Sequence, residues 1–132
     1  MNKPLSDVLE FHKTYSQPTP ENPTFPDQTR IDLRMHLITE EFREVREAIE
    51  NKDLVNLAKE LADLLYVVNG TIIEFGLTNK MDQVSDAVHA SNMSKLDNNG
   101  KPIYSPMGKV LKSPLYREAD VASILFPVDA NP

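Results

Sequence analysis

The stretch I38-T-E-E-F-R-E-V-R-E-A-I-E50 decides how the rest of the chain is read. Turning each residue about 100° past the last places Leu37, Ile38, Phe42, Val45, Ala48 and Ile49 on one arc of about 140°. The pattern predicts an amphipathic helix running from about Gln28 to Glu50. Glu41 falls inside the apolar arc, between Ala48 and Val45. Glu44 lies at its edge. Glu40 and Glu47 lie just outside, and Arg43 and Arg46 face solvent further round.

The next periodic segment repeats the anomaly. The polar break N51-K-D-L54 separates the two helices, with Asp53 as the expected N-cap. A third helix is predicted from about Leu54 to Phe75, with Gly76 placed to end it. Leu54, Leu57, Leu61, Leu64, Leu65, Val68, Ile72 and Phe75 form a stripe wide enough to bury most of the circumference. Glu60 projects between Leu64 and Val67. Asp63 lies on the adjoining face, since positions i and i+3 are neighbours.

An ionised carboxylate buried without a partner costs several kcal/mol or more. Four that converge also repel one another. Two arrangements satisfy them: cations among the carboxylates, or pairing with bases such as Arg34 and Lys59. Hard oxygen donors suit Mg²⁺ or Mn²⁺. Two i, i+3 pairs, Glu41/Glu44 and Glu60/Asp63, on facing antiparallel helices form a recognised way of building a metal site in a bundle.

The remaining elements are short. A first helix over 5–15 has Ser6 or Asp7 as candidate caps. Pro18, Pro20, Pro23 and Pro26 make an extended strap. A fourth helix spans about 79–96, and D97-N-N-G100 stops it. K101-P-I-Y-S-P-M-G-K-V-L-K-S113 predicts a two-stranded hairpin about S-P-M-G, and one short helix follows in a frayed tail. The fold class expected is an all-α antiparallel bundle with a small C-terminal β-hairpin. A single domain over 1–132 is expected, with core helices at about 28–96 and the hairpin and tail at about 97–132.

Net charge is −6, which speaks against a general nucleic-acid binder. From Asp32 to Asp63 nine acids face five bases; from Lys95 to Arg117 five bases face one acid. The first residues, MNKPLSDVLEF, lack the apolar run of a signal peptide, and no stretch approaches a membrane span. With no cysteine, disulfides and thiolate chemistry are excluded, in keeping with a cytoplasmic location. Asn92 and Lys95, one turn apart near the end of the fourth helix, are candidates to hold phosphate or base. Lys109 in the hairpin and Tyr116 are candidates to close over a ligand. Asp86 is a weaker candidate for a fifth metal ligand. His12 and His36 carry no signal.

E40-E-F-R-E44 followed by E60-L-A-D63 resembles the EExxE…ExxD signature of the all-α nucleoside triphosphate pyrophosphohydrolases, the MazG-like superfamily. The resemblance covers about residues 28–96. V88-H-A-S-N-M-S-K-L-D-N-N-G-K-P-I103 and G108-K-V-L-K-S-P-L-Y116 look like the tail of small stand-alone bacterial and phage members. The resemblance implies hydrolysis of a nucleoside triphosphate to the monophosphate and pyrophosphate. By motif position, Glu41, Glu44, Glu60 and Asp63 would bind Mg²⁺, and Glu40 would orient or deprotonate the attacking water. Phosphoribosyl-ATP pyrophosphohydrolases are relatives within this superfamily and give the alternative substrate; a metal-free helical interaction module is the other alternative. The resemblance also implies a homodimer or homotetramer, which would cover the wide stripe of the third helix.

Overall fold

The computed structural model describes residues 1–128. These form five helices and one two-stranded hairpin, in two compact units, one over Met1–Asn79 and the other starting at Lys80. The expected mainly helical architecture with a small hairpin is what the chain adopts. No helix among the described residues is long and apolar enough to cross a membrane.

In the first unit, α1 (Lys3–Thr14) starts earlier than the sequence suggests. Asn2, not Ser6 or Asp7, is the cap: its Oδ1 accepts from the Leu5 N–H at 2.9 Å. Pro4 sits in the first turn, where its missing N–H costs nothing. The proline strap then leads to α2 (Gln28–Glu50), capped by Asp27. The strap is pinned to Phe75, the residue that closes the third helix. The Thr24 N–H donates to the Phe75 carbonyl at 2.9 Å, and the Phe25 and Phe75 rings meet edge to face at 5.5 Å. Gly76 has φ +69°, and a Cβ there would collide with the Asn22 carbonyl, so this crossing requires glycine.

Helix α3 (Leu54–Glu74) begins at the expected cap, Asp53, whose Oδ1 accepts from the Asn56 N–H at 3.0 Å. The connection from α2 is short, and the start of α2 meets the end of α3, so the two run antiparallel. Helix α1 packs on another side of α3. Leu5, Val8, Val45, Ala48 and Ile73 are the buried apolar residues.

The expectation that α3 is buried around most of its circumference fails within one chain. Leu54 is 78% exposed, Val55 85% and Leu65 59%. Phe42 and Ile49, placed in the dry arc of α2, are also exposed. The physical reason is coverage: α1 and α2 occupy two sides of α3 and leave a third open.

In the second unit, α4 (Met81–Met93) is shorter than the predicted 79–96. No side chain caps its start. At its end, the Ser94 hydroxyl donates to the Ser91 carbonyl at 2.6 Å and accepts the Arg117 N–H at 2.9 Å, which ties the helix end to the tail. Lys95 therefore lies in the turn after α4. The hairpin pairs β1 (Ile103–Tyr104) with β2 (Val110–Leu111), Ile103 opposite Leu111. Its turn is the expected S-P-M-G, closed by the Gly108 N–H to the Ser105 carbonyl at 2.9 Å. A short α5 (Val121–Leu125) packs on α4.

Candidate metal centre

Helix α2 carries Glu41 and Glu44 one turn apart, and α3 carries Glu60 and Asp63 in the same relation. Antiparallel packing brings the two pairs face to face. One carboxylate oxygen from each of the four lies within 4.8 Å of the others. Glu60 is buried, 5% exposed, and the other three are half-buried.

The electrostatics of the cluster are unsatisfied by protein alone. Glu41 Oε2 and Glu60 Oε2 are buried with no hydrogen-bond donor. Burial pushes the Glu41 carboxyl up to about 7, helped by the close approach of the Glu44 carboxyl and by the charges of Glu44, Asp63 and Glu60. Glu60 is raised as well, first by its hydrogen bond with Glu44 and then by burial, against the pull of Lys59. A low-dielectric pocket with like charges favours protonated forms, and a divalent cation removes the same strain without a proton.

Of the bases considered as partners, Lys59 alone reaches these four carboxylates among the described residues. Its Nζ is 2.8 Å from Asp63 Oδ2 and 3.4 Å from Glu60 Oε1. Hydrogen bonds to Asp63 and then Glu60 raise its pKa, so it stays charged. Arg43 pairs with Glu47 at 3.8 Å. Arg34 points elsewhere, to Glu74 at 3.0 Å. The donor set is all oxygen, two of its buried oxygens lack a donor, and one lysine cannot neutralise four carboxylates. The residues therefore fit a hard divalent cation.

Glu40 is not one of the four converging carboxylates. Its side chain is 39% exposed and Oε2 lies 3.4 Å from His36 Nε2, so it sits beside the centre on α2. In the second unit, Asn92 and Lys95 line one cavity of about 390 Å³ together with Met93, Leu96 and Val110. Lys109 adjoins this lining through Val110 and is exposed. Tyr116 instead lies under Lys112, whose Nζ is 4.6 Å from the ring centre.

A second polar cluster escaped the sequence reading. Glu74, with a fully buried side chain, accepts from Arg30 Nε at 2.8 Å, Arg30 Nη2 at 2.8 Å and Arg34 Nη1 at 3.0 Å, and meets His12 Nε2 at 3.1 Å. His12, which carries no signal in the sequence, is 3% exposed and links α1 to α3. Burial works to raise the Glu74 carboxyl, but the hydrogen bonds from Arg30 and His12 and the two guanidinium charges outweigh it and hold it low. The available signal was Glu74 within the apolar run T71-I-I-E-F75, the same anomaly that drew attention to Glu41.

An antiparallel helical pair with four inward carboxylates at this spacing is the fold of the MazG-like all-α pyrophosphohydrolases. The finer assignment follows from comparison with known families: residues 8–92 match the phosphoribosyl-ATP pyrophosphohydrolase family, PRA-PH, and the chain belongs to it. The match spans the latter part of α1, all of α2 and α3 and almost all of α4, and so includes all four carboxylates. A comparison with curated proteins finds no match.

Proposed function

We propose that this pyrophosphohydrolase cleaves a nucleoside triphosphate between the α and β phosphates, giving the monophosphate and pyrophosphate, with Mg²⁺ as the working ion and Mn²⁺ as a substitute. The observation that carries the reading is the convergence of four carboxylate oxygens within 4.8 Å, two of the groups bearing buried oxygens that no protein donor satisfies. Glu41, Glu44, Glu60 and Asp63 hold the ion. When bound, it supplies charge neutralisation of the polyphosphate and polarises the anhydride P–O bond. Glu40, beside the centre and partly in solvent, orients the attacking water and takes its proton. Asn92 and Lys95 hold the nucleotide, and Lys109 and Tyr116 close over it. Residues 1–132 act as one functional domain, in a homodimer or homotetramer in the cytoplasm, with no nucleic-acid or membrane partner.

The family match is compatible with a second reading, in which the substrate is phosphoribosyl-ATP itself. A panel of NTPs, dNTPs and phosphoribosyl-ATP with Mg²⁺, scored for pyrophosphate against orthophosphate, separates the two. Turnover of free nucleotides to pyrophosphate supports the first; turnover of phosphoribosyl-ATP alone replaces it. Glu41→Gln is expected to abolish pyrophosphate release at unchanged helix content. If Mn²⁺ at millimolar concentration gives no calorimetric binding, the chain is a metal-free interaction module instead.

A further inference from the structure

Lys59 is placed in an unusual position for a surface base. Its ammonium sits on Asp63 Oδ2 at 2.8 Å and Glu60 Oε1 at 3.4 Å, two members of the candidate metal centre. It arrives from one turn before Asp63 on the same helix, and its side chain is 65% exposed. The deeper oxygens, Glu41 Oε2 and Glu60 Oε2, keep no donor. One positive charge therefore covers the outer half of a cluster with four carboxylates and leaves the inner half open.

The chemistry of lysine suits a removable counter-ion. Its charge is compact and sits on a flexible four-carbon stem, with no fixed fork to hold it to one geometry. Exposed ion pairs of this kind are weak, because solvent competes for both partners. A divalent ion held by Glu60 and Asp63 would share both carboxylates with the ammonium, so the two cations repel each other and compete for the same negative charge. Mg²⁺ and Mn²⁺ carry twice the charge, and Glu41 and Glu60, whose buried Oε2 atoms the lysine leaves unpaired, would help to hold such an ion.

We propose that Lys59 is a built-in competitor for the metal centre, bridging the Glu60 and Asp63 carboxylates and setting the divalent affinity of the nucleotide-free protein. This inference rests on the metal-centre reading given above. Lys59 lowers metal affinity by occupying two ligands, and it stabilises the metal-free fold by the same contacts. A simple surface lysine would do neither.

The test is Mn²⁺ titration of the full chain without nucleotide, followed by calorimetry and by the electron-spin signal of free Mn²⁺. Lys59→Met is expected to bind Mn²⁺ roughly three- to tenfold tighter than wild type, the size of one or two partly exposed ion pairs. Lys59→Gln, which keeps a donor without the charge, shifts in the same direction and covers the case in which the methionine variant folds poorly. Arg43→Met removes a nearby charge that pairs with Glu47 rather than with the centre, and should leave the affinity unchanged. Wild-type affinity in both Lys59 variants overturns the proposal, as does equal tightening in Arg43→Met, which would mean a diffuse charge effect. Absence of Mn²⁺ binding by wild type overturns the metal centre and this inference together.

Discussion

Glu41 and Glu74 are both acids set among apolar neighbours, and they meet opposite fates. Glu41 faces other carboxylates, and its carboxyl is pushed from 4.5 up to about 7. Glu74 faces two guanidiniums and a histidine and is held below its usual value. The linkage for Glu41 runs toward acid stability. Between pH 4.5 and about 7 the folded chain keeps a proton that the unfolded chain has lost, so stability falls as pH rises through that window. We expect metal-free protein to lose more stability between about pH 5 and 8 than Glu41→Gln does, measured by urea unfolding at each pH, and saturating Mn²⁺ to remove the difference. Equal slopes in the two proteins would show that Glu41 is not perturbed. Glu74 has the reverse sign: its contribution is present above the unfolded value and is lost as pH falls through the lower folded one. Glu74→Gln leaves the buried Arg34 and the half-buried Arg30 without their counter-charge, at a cost of about 3 kcal/mol. Mn²⁺ affinity should not change, because Glu74 lies about three turns beyond Asp63 on α3. A destabilisation well below 1 kcal/mol would mean that the network is dispensable.

Helix α3 does three jobs at once, and Gly70 shows how they conflict. A glycine inside a helix costs about 1 kcal/mol relative to alanine. Here the missing side chain makes room: a Cβ at Gly70 would collide with Arg34 Nη2 and lie 3.0 Å from His12 Cε1. Arg34 cannot swing away freely, since the same Nη2 donates to the Val67 carbonyl at 2.8 Å and Nη1 to Glu74. We expect Gly70→Ala to destabilise despite its better helix propensity, by about 1–2 kcal/mol in chemical denaturation; a stabilised variant would show the network to be pliable. Gly70 also shows what the sequence could and could not reveal. The limits of α2 and α3, the Asp53 cap and the hairpin turn were legible, because each depends on local periodicity and turn chemistry. Glu41, Glu44, Glu60 and Asp63 stood out because an acid inside an apolar arc is a local contradiction, and antiparallel packing brings the two pairs together. The Arg34 and His12 contacts were not legible. They depend on which side of α3 is taken by α1 and which by α2, and no repeat along one helix records that. The end of α4 was overestimated for a related reason, since Ser91 and Ser94 bind the Arg117 backbone, 26 and 23 residues away in sequence.

The single chain leaves apolar side chains uncovered on α2 and α3, and this exposure supports the proposed assembly. Met35, Phe42 and Ile49 recur every seventh residue on α2 and are exposed by 59%, 59% and 56%. On α3, Leu54 and Leu61 repeat the same spacing at 78% and 44%, with Leu65 at 59%. Seven-residue spacing on two neighbouring helices is the geometry that packs one helical pair against another. Contiguous exposed apolar surface is the kind that association faces use. A second copy offers the same stripes and can form a closed twofold assembly, which fits the proposed homodimer better than an open chain of subunits. In the proposed assembly, burying these side chains would lower the dielectric around Glu41 and Glu60 and strengthen their demand for a cation. Assembly and metal binding should therefore be coupled. We expect light scattering to give a dimer or tetramer for wild type, and Phe42→Glu combined with Leu61→Glu to give a monomer with unchanged helix content. Neither residue is a candidate ligand, so the monomer keeps all four carboxylates yet should bind Mn²⁺ more weakly, by roughly threefold or more, as solvent reaches the seam. A wild-type monomer would remove the assembly from the account. A monomeric variant with undiminished Mn²⁺ affinity would leave the assembly in place and show that the centre is complete within one chain.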